Sequence, residues 1–166
     1  MSDRWPVDSL GLFSDSVLQE FVNASAIQET PALAKGIMES QYFSELKNYW
    51  STLDKAIVGI GGELGLDDSS WRNLLNEQDR KLLKDEEIVG DVCCRFFDKD
   101  GNVLQGDLYE RTIGISLDQL KKTPVSIGIA AGEDKVMAIY GLLKNGYINS
   151  LVTDEATLRK VLQQGD

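Results

Sequence analysis

Histidine is absent from all 166 residues, and that gap removes more chemistry than any other feature of the composition. Without imidazole there is no Ser–His or Cys–His nucleophile pair and no histidine-bearing zinc site. Any catalytic acid or base would have to be a carboxylate, a lysine, a tyrosine or a thiol. Cysteine is nearly as scarce, the only two being the neighbours Cys93 and Cys94. With no third cysteine beside them, the pair reads as small apolar strand residues pointing to opposite faces, suited to a reducing compartment, and not as a metal or redox centre.

No apolar run approaches the ~20 residues of a membrane-spanning helix, and the start "MSDRWPVDSLG" lacks the basic and apolar regions of a signal peptide. Basic side chains are in deficit, 17 against 27 acidic, for a formal net charge of -10. Such a field repels phosphate backbones and anionic lipid. The expectations are a cytoplasmic chain without membrane contact, without nucleic-acid contact of its own, and with no metal and no cofactor. The length and the 42% apolar content suit a single domain over residues 1–166, with residues 1–14 irregular.

What is present is an alternation of strands and helices. "DSVLQEFV" from Asp15 reads as a short helix, and the apolar spacing after Thr30 and Pro31 predicts two consecutive helices. "KAIVGIGGE", residues 55–63, is a continuous apolar run ending in glycines, the pattern of a strand buried on both faces. A helix is predicted around Glu77 to Lys84. Two β-rich stretches then flank "DKDG", a hairpin turn signal whose calcium-loop reading fails for want of the later glutamate. Ser116 and Gln119 fit a capping box for "SLDQLKKT".

The stretch "VSIGIAAGEDKVMAIYGLLKNG", residues 125–146, predicts a strand, a small-residue turn and a helix from about 134 to 144. One more strand, "YINSLVT", and a closing helix, "DEATLRKVLQ", follow. This order predicts an α/β fold with parallel, right-handed crossovers. Its strand ends bring candidate groups to one edge: Gly61 and Gly62, then Gly132, Glu133, Asp134 and Lys135, then Thr153 and Asp154. Backbone N–H groups and an ammonium there can hold a phosphate or a sugar hydroxyl. Acidic residues at a helix start are also what the helix dipole favours, so the spacing alone leaves both readings open.

"KAIVGIGG", "VGDVCCRFFDKDGNV", "YERTIGISLDQLKKTP" and "IGIAAGEDKVMAIYGLLKNGYINSLVTDEATLRKVL" together resemble the effector-binding domain of SorC-family sugar-responsive transcriptional regulators over roughly residues 54–163. The resemblance implies a three-layer sheet with mostly parallel strands and one hairpin, of the sugar-phosphate isomerase and glucosamine-phosphate deaminase class. It also implies a phosphorylated or free sugar as effector, a homo-oligomer, and no catalysis. By the same resemblance Lys135 and Gly132 face phosphate, with Glu133 beside them, and Asp91 accepts from ligand hydroxyls. Gly59, Gly61 and Gly62 line the floor by backbone contacts, and Arg111 touches ligand or serves an interface. The family's helix-turn-helix domain and the opening strand of its effector domain find no match before Asp54, so the chain reads as a shortened regulator. Two alternatives stand beside this: an isomerase or deaminase using Asp91 or Glu133 as base with Lys135, and a structural fragment with an incomplete pocket.

Overall fold

Strand β1, Lys55–Gly62, is the hub of a five-stranded sheet in the computed structural model, which describes residues 24–62 and 74–165. The helix expected from Asp15 and the irregular start expected over residues 1–14 lie outside the described residues. The other strands are β2 (Ile88–Val92), β3 (Arg95–Asp98), β4 (Val125–Ile129) and β5 (Ser150–Val152), in the order β3-β2-β1-β4-β5. β1, β4 and β5 are parallel, β2 opposes β1, and β3 opposes β2. The sheet is therefore mixed but mostly parallel, as expected.

The helices begin where their caps place them. Helix α1 (Pro31–Met38) starts on Thr30, whose hydroxyl accepts from the Leu33 N–H at 3.2 Å, and α2 (Gln41–Ser51) starts on Ser40. Helix α3 (Glu77–Asp85) is opened by a reciprocal capping box between Asn76 and Asp79. Helices α4 (Asp107–Arg111) and α5 (Leu117–Lys122) follow, the second on the expected Ser116–Gln119 box. Helix α6 (Val136–Lys144) is entered through a 3-10 turn at Glu133–Lys135, and α7 (Glu155–Gln163) starts on Asp154.

Consecutive phenylalanines show how the layers form. Phe97 packs with Val136, Ala138, Ile139 and Leu142 of α6, while Phe96 joins Leu83 and Leu108 of α3 and α4 in a separate cluster. Because side chains alternate along a strand, one residue step changes core. Helices thus lie on both faces of the sheet at its β2–β3 end. At the β1–β4–β5 end α6 and α7 cover one face. On the other, Ile57, Ile129 and Val152 are 70%, 46% and 55% exposed.

The cysteines depart from expectation. They occupy the two-residue turn between β2 and β3, with φ of 53° and 60°, and are not strand residues. A two-residue hairpin needs both central residues in this left-handed region because only then does the turn match the strand twist. "DKDG" does form a turn, the Gly101 N–H donating to the Asp98 carbonyl at 2.9 Å, but it leads to a single bridge between Phe97 and Val103 and not to a second full strand.

Distant segments are joined by one buried ion pair. The Arg111 guanidinium contacts the Asp79 carboxylate, and it also donates to the Gln28 carbonyl at 3.0 Å and to Asp107 at 2.6 Å. Asp79 meanwhile accepts from the Asn76 N–H at 3.0 Å, so one carboxylate caps α3 and neutralises α4. Asp79→Ala is expected to destabilise the chain by about 3 kcal/mol, the lower end for stranding one member of a buried pair because Asp107 stays beside Arg111. Urea unfolding of the variant against the parent checks this.

Candidate functional site

At the carboxyl end of β1 there is no space for side chains, and other groups fill it. A Cβ on Gly61 would overlap the Asp91 carboxylate, and one on Gly62 would overlap the Asp134 carbonyl and lie 2.8 Å from Lys135 Cδ. A Cβ on Gly90, the β2 partner of Gly62, would come within 2.6 Å of Ala138. These glycines let the hairpin strand and the turn before α6 close on the end of β1. Gly61, Gly62, Asp91, Gly132 and Lys135 are thereby brought together.

Asp91 is 8% exposed. Burial pushes its carboxyl up from 3.8 to about 6, and the Cys94 backbone N–H and the Lys135 charge offset only part of that. The cysteine thiols nearby are driven up by burial and by Asp91, to about 11 for Cys93 and about 12 for Cys94, so they stay protonated and weakly nucleophilic at neutral pH. Lys135 Nζ lies 3.3 Å from the Asp134 carboxylate and is held at the site's margin, its side chain largely covered.

The turn itself is fixed from α7. Gly132 has φ 125°, open to glycine alone, and its N–H donates to the Thr157 hydroxyl at 2.9 Å. That hydroxyl donates in turn to Asp154 at 2.8 Å. The N–H of Gly132 is therefore already engaged, and the N–H groups left for an anion are those of Glu133 and Asp134 in the first turn. The Glu133 carboxylate pairs with Lys160 at 2.6 Å on an exposed surface. At the end of β5, the Thr153 hydroxyl is buried without a hydrogen-bond partner. Two cavities of about 650 and 610 Å³ lie elsewhere, the first between α1 and α2 around Leu33 and Phe43, the second around Gln28 and Arg111.

A family model described as "Putative sugar-binding domain" matches residues 15–163. The chain belongs to the sugar-binding-domain family of SorC-type regulators. The sorbitol operon regulator of Klebsiella pneumoniae is 36% identical over 152 residues, 92% of this chain and 47% of its own length. A crystal structure of a transcriptional regulator from Streptococcus pneumoniae superposes with a TM-score of 0.84 at 44% identity, covering 89% of this chain and 56% of that one. A sugar-binding domain of a transcriptional repressor from Vibrio fischeri gives 0.78 at 25% identity, covering 87% and 58%. The chain thus spans about half the length of its relatives.

Within this SorC-type domain Arg111 stands apart from the other candidates, its partners being Asp79, Asp107 and Gln28. Sequence reasoning passed over Thr157, which orients Gly132, and Arg95. Arg95 is buried, stacks 4.2 Å from the Tyr109 ring centre, and donates to the carbonyls of Tyr109, Thr112, Gly114 and Ile115. A lone arginine inside the apolar run "VCCRFF" was the available signal. It ties the hairpin carrying Asp91 to the segment 109–115.

A carboxyl whose pKa rises on folding binds its proton more tightly in the folded chain, so its contribution is most favourable below pH 4 and is lost as pH rises through 6. Asp91→Asn is expected to raise stability at pH 8 and to flatten the decline between pH 4 and 6. Thermal unfolding of both proteins across that range measures it, and a parent as stable as the variant at pH 8 contradicts the account.

Proposed function

We propose that this chain is the effector-sensing part of a bacterial transcriptional regulator and takes a phosphorylated or free sugar at the carboxyl end of β1 and β4. The observation that carries the reading is Asp91, a buried carboxylate with a single backbone donor and an ammonium nearby. A sugar supplies the hydroxyl donors that such a carboxylate lacks, and so recovers part of the cost of burying it. Lys135 and the N–H groups of Glu133 and Asp134 suit a phosphate, Gly61 and Gly62 form the floor, and the buried Thr153 hydroxyl offers a further contact.

In this reading the chain is cytoplasmic, does no chemistry, associates with itself, and contacts DNA only through a separate domain. The ligand acts by binding one subunit arrangement better than another. Its relatives being transcriptional regulators supports sensing over an isomerase or deaminase built on the same fold.

Titration with a hexose phosphate, followed by amide NMR shifts, tests the site. Binding at millimolar concentration is expected, weakened by added salt. Lys135→Ala is expected to weaken it by about thirtyfold, the loss of roughly 2 kcal/mol from one charge-assisted contact, while an uncharged sugar is little affected. Equal affinity of the variant and the parent for the phosphate removes Lys135 from the site.

A further inference from the structure

Two arginines are buried among the described residues, and only Arg111 meets a carboxylate. The Arg95 guanidinium donates instead to four carbonyls, those of Tyr109 at 2.9 Å, Thr112 at 3.2 Å, Gly114 at 2.9 Å and Ile115 at 3.4 Å. These carbonyls run from the end of α4 to the residue before the α5 cap. A buried cation without an anion costs free energy that an apolar side chain of its size avoids, so packing alone does not account for Arg95.

Arg95 directly follows the strained turn. Cys93 and Cys94 both hold positive φ, a conformation that cysteine keeps only where its surroundings fix it. Arg95 fixes it from the β3 side, pairing with Val92 across the turn while its side chain is clamped to residues 109–115. The Cys94 N–H, inside that turn, is the backbone donor to Asp91. The clamped segment is engaged again further on, where the Arg111 carbonyl accepts from the Gln28 N–H at 2.9 Å and the Ile113 N–H donates to the Ala26 carbonyl at 2.8 Å. We infer that Arg95 is the positioning residue of the Asp91 site and couples the contacts of that carboxylate to segment 26–28 by way of residues 109–115. The inference rests on the sugar reading only for the identity of the ligand. A ligand that draws Asp91 away from the Cys94 N–H releases the turn, and the turn carries with it the carbonyls that Arg95 holds. A distant contact changes only when the ligand favours one arrangement of what lies between.

A double-mutant cycle in the unliganded 166-residue chain tests this. It reads amide hydrogen exchange at Gln28 and Ile113, each referred to Ile139 in the α6 core, which reports global unfolding. Asp91→Asn, which keeps the shape and removes the charge, is expected to change exchange at both amides by about threefold or more. In the Arg95→Lys background, where an ammonium reaches fewer of the carbonyls, the same change is expected to fall below about 1.5-fold. Additive effects of the two substitutions overturn the inference, as does an Asp91→Asn that leaves both amides unchanged. Should the lysine variant not fold, Tyr109→Leu decides, since it removes the ring under the guanidinium and leaves every carbonyl in place. Coupling unchanged in that variant overturns the inference. Hexose phosphate is then added to the parent, and binding that leaves Gln28 and Ile113 unchanged overturns it too. No binding at all removes the sugar reading instead, and the cycle without ligand still decides the coupling.

Discussion

The structure depends on a steric constraint at the carboxyl end of β1, where backbone fits and side chains do not. Gly61 lies under the Asp91 carboxylate, Gly62 under Asp134 and Lys135, and Gly90 is wedged between the Gly61 carbonyl and Ala138. Only because these positions lack a Cβ can the antiparallel hairpin and the turn into α6 converge on one strand end. The convergence brings the Asp91 carboxylate to one face of the strand end and Lys135 with the turn into α6 to the other, and the core behind that turn includes Ala138, Ile139 and Leu142, all fully buried. An alanine at Gly61 would collide with the Asp91 carboxylate, and one at Gly90 with the Gly61 carbonyl and Ala138.

Much of this was legible because local chemistry and tertiary structure agree. The strand at β1, the caps at Thr30 and Ser116, and the strand-turn-helix around Gly132 each carry their own signal in neighbouring residues, although β1 is not buried on both faces as its apolar run predicts, Ile57 being exposed. What escaped was set by partners far away in sequence. Arg111 is held by Asp79 and Gln28, 32 and 83 residues distant, and a lone arginine does not say whether it faces ligand or a buried carboxylate. The Cys93–Cys94 turn escaped for another reason. Two-residue hairpins normally announce themselves with Asn or Gly, which accept positive φ cheaply, and cysteine gives no such sign. The hairpin was therefore expected one strand later, at the sequence with the better turn residues.

The same glycine-lined junction explains why the site is costly. Asp91 sits where the hairpin must cross β1, so it is buried whether or not a ligand is present. A position chosen for packing alone would carry an apolar residue, since an ionised carboxylate with one backbone donor opposes folding at neutral pH. The Thr153 hydroxyl, buried and unpaired at the end of β5, adds a second cost of the same kind, of order 1–3 kcal/mol. Under the proposed sugar-binding reading, the missing partners arrive with the ligand and offset such costs.

The unfinished polar groups and the unfinished apolar surface share one strand. β1 carries its glycine floor at one end and, at the other, an edge over Lys55–Gly59 that is unpaired among the described residues, and the Cys93–Cys94 turn divides them. Under the proposed reading, a ligand that donates to Asp91 does so where water is already largely excluded, and that exclusion strengthens each hydrogen bond it makes.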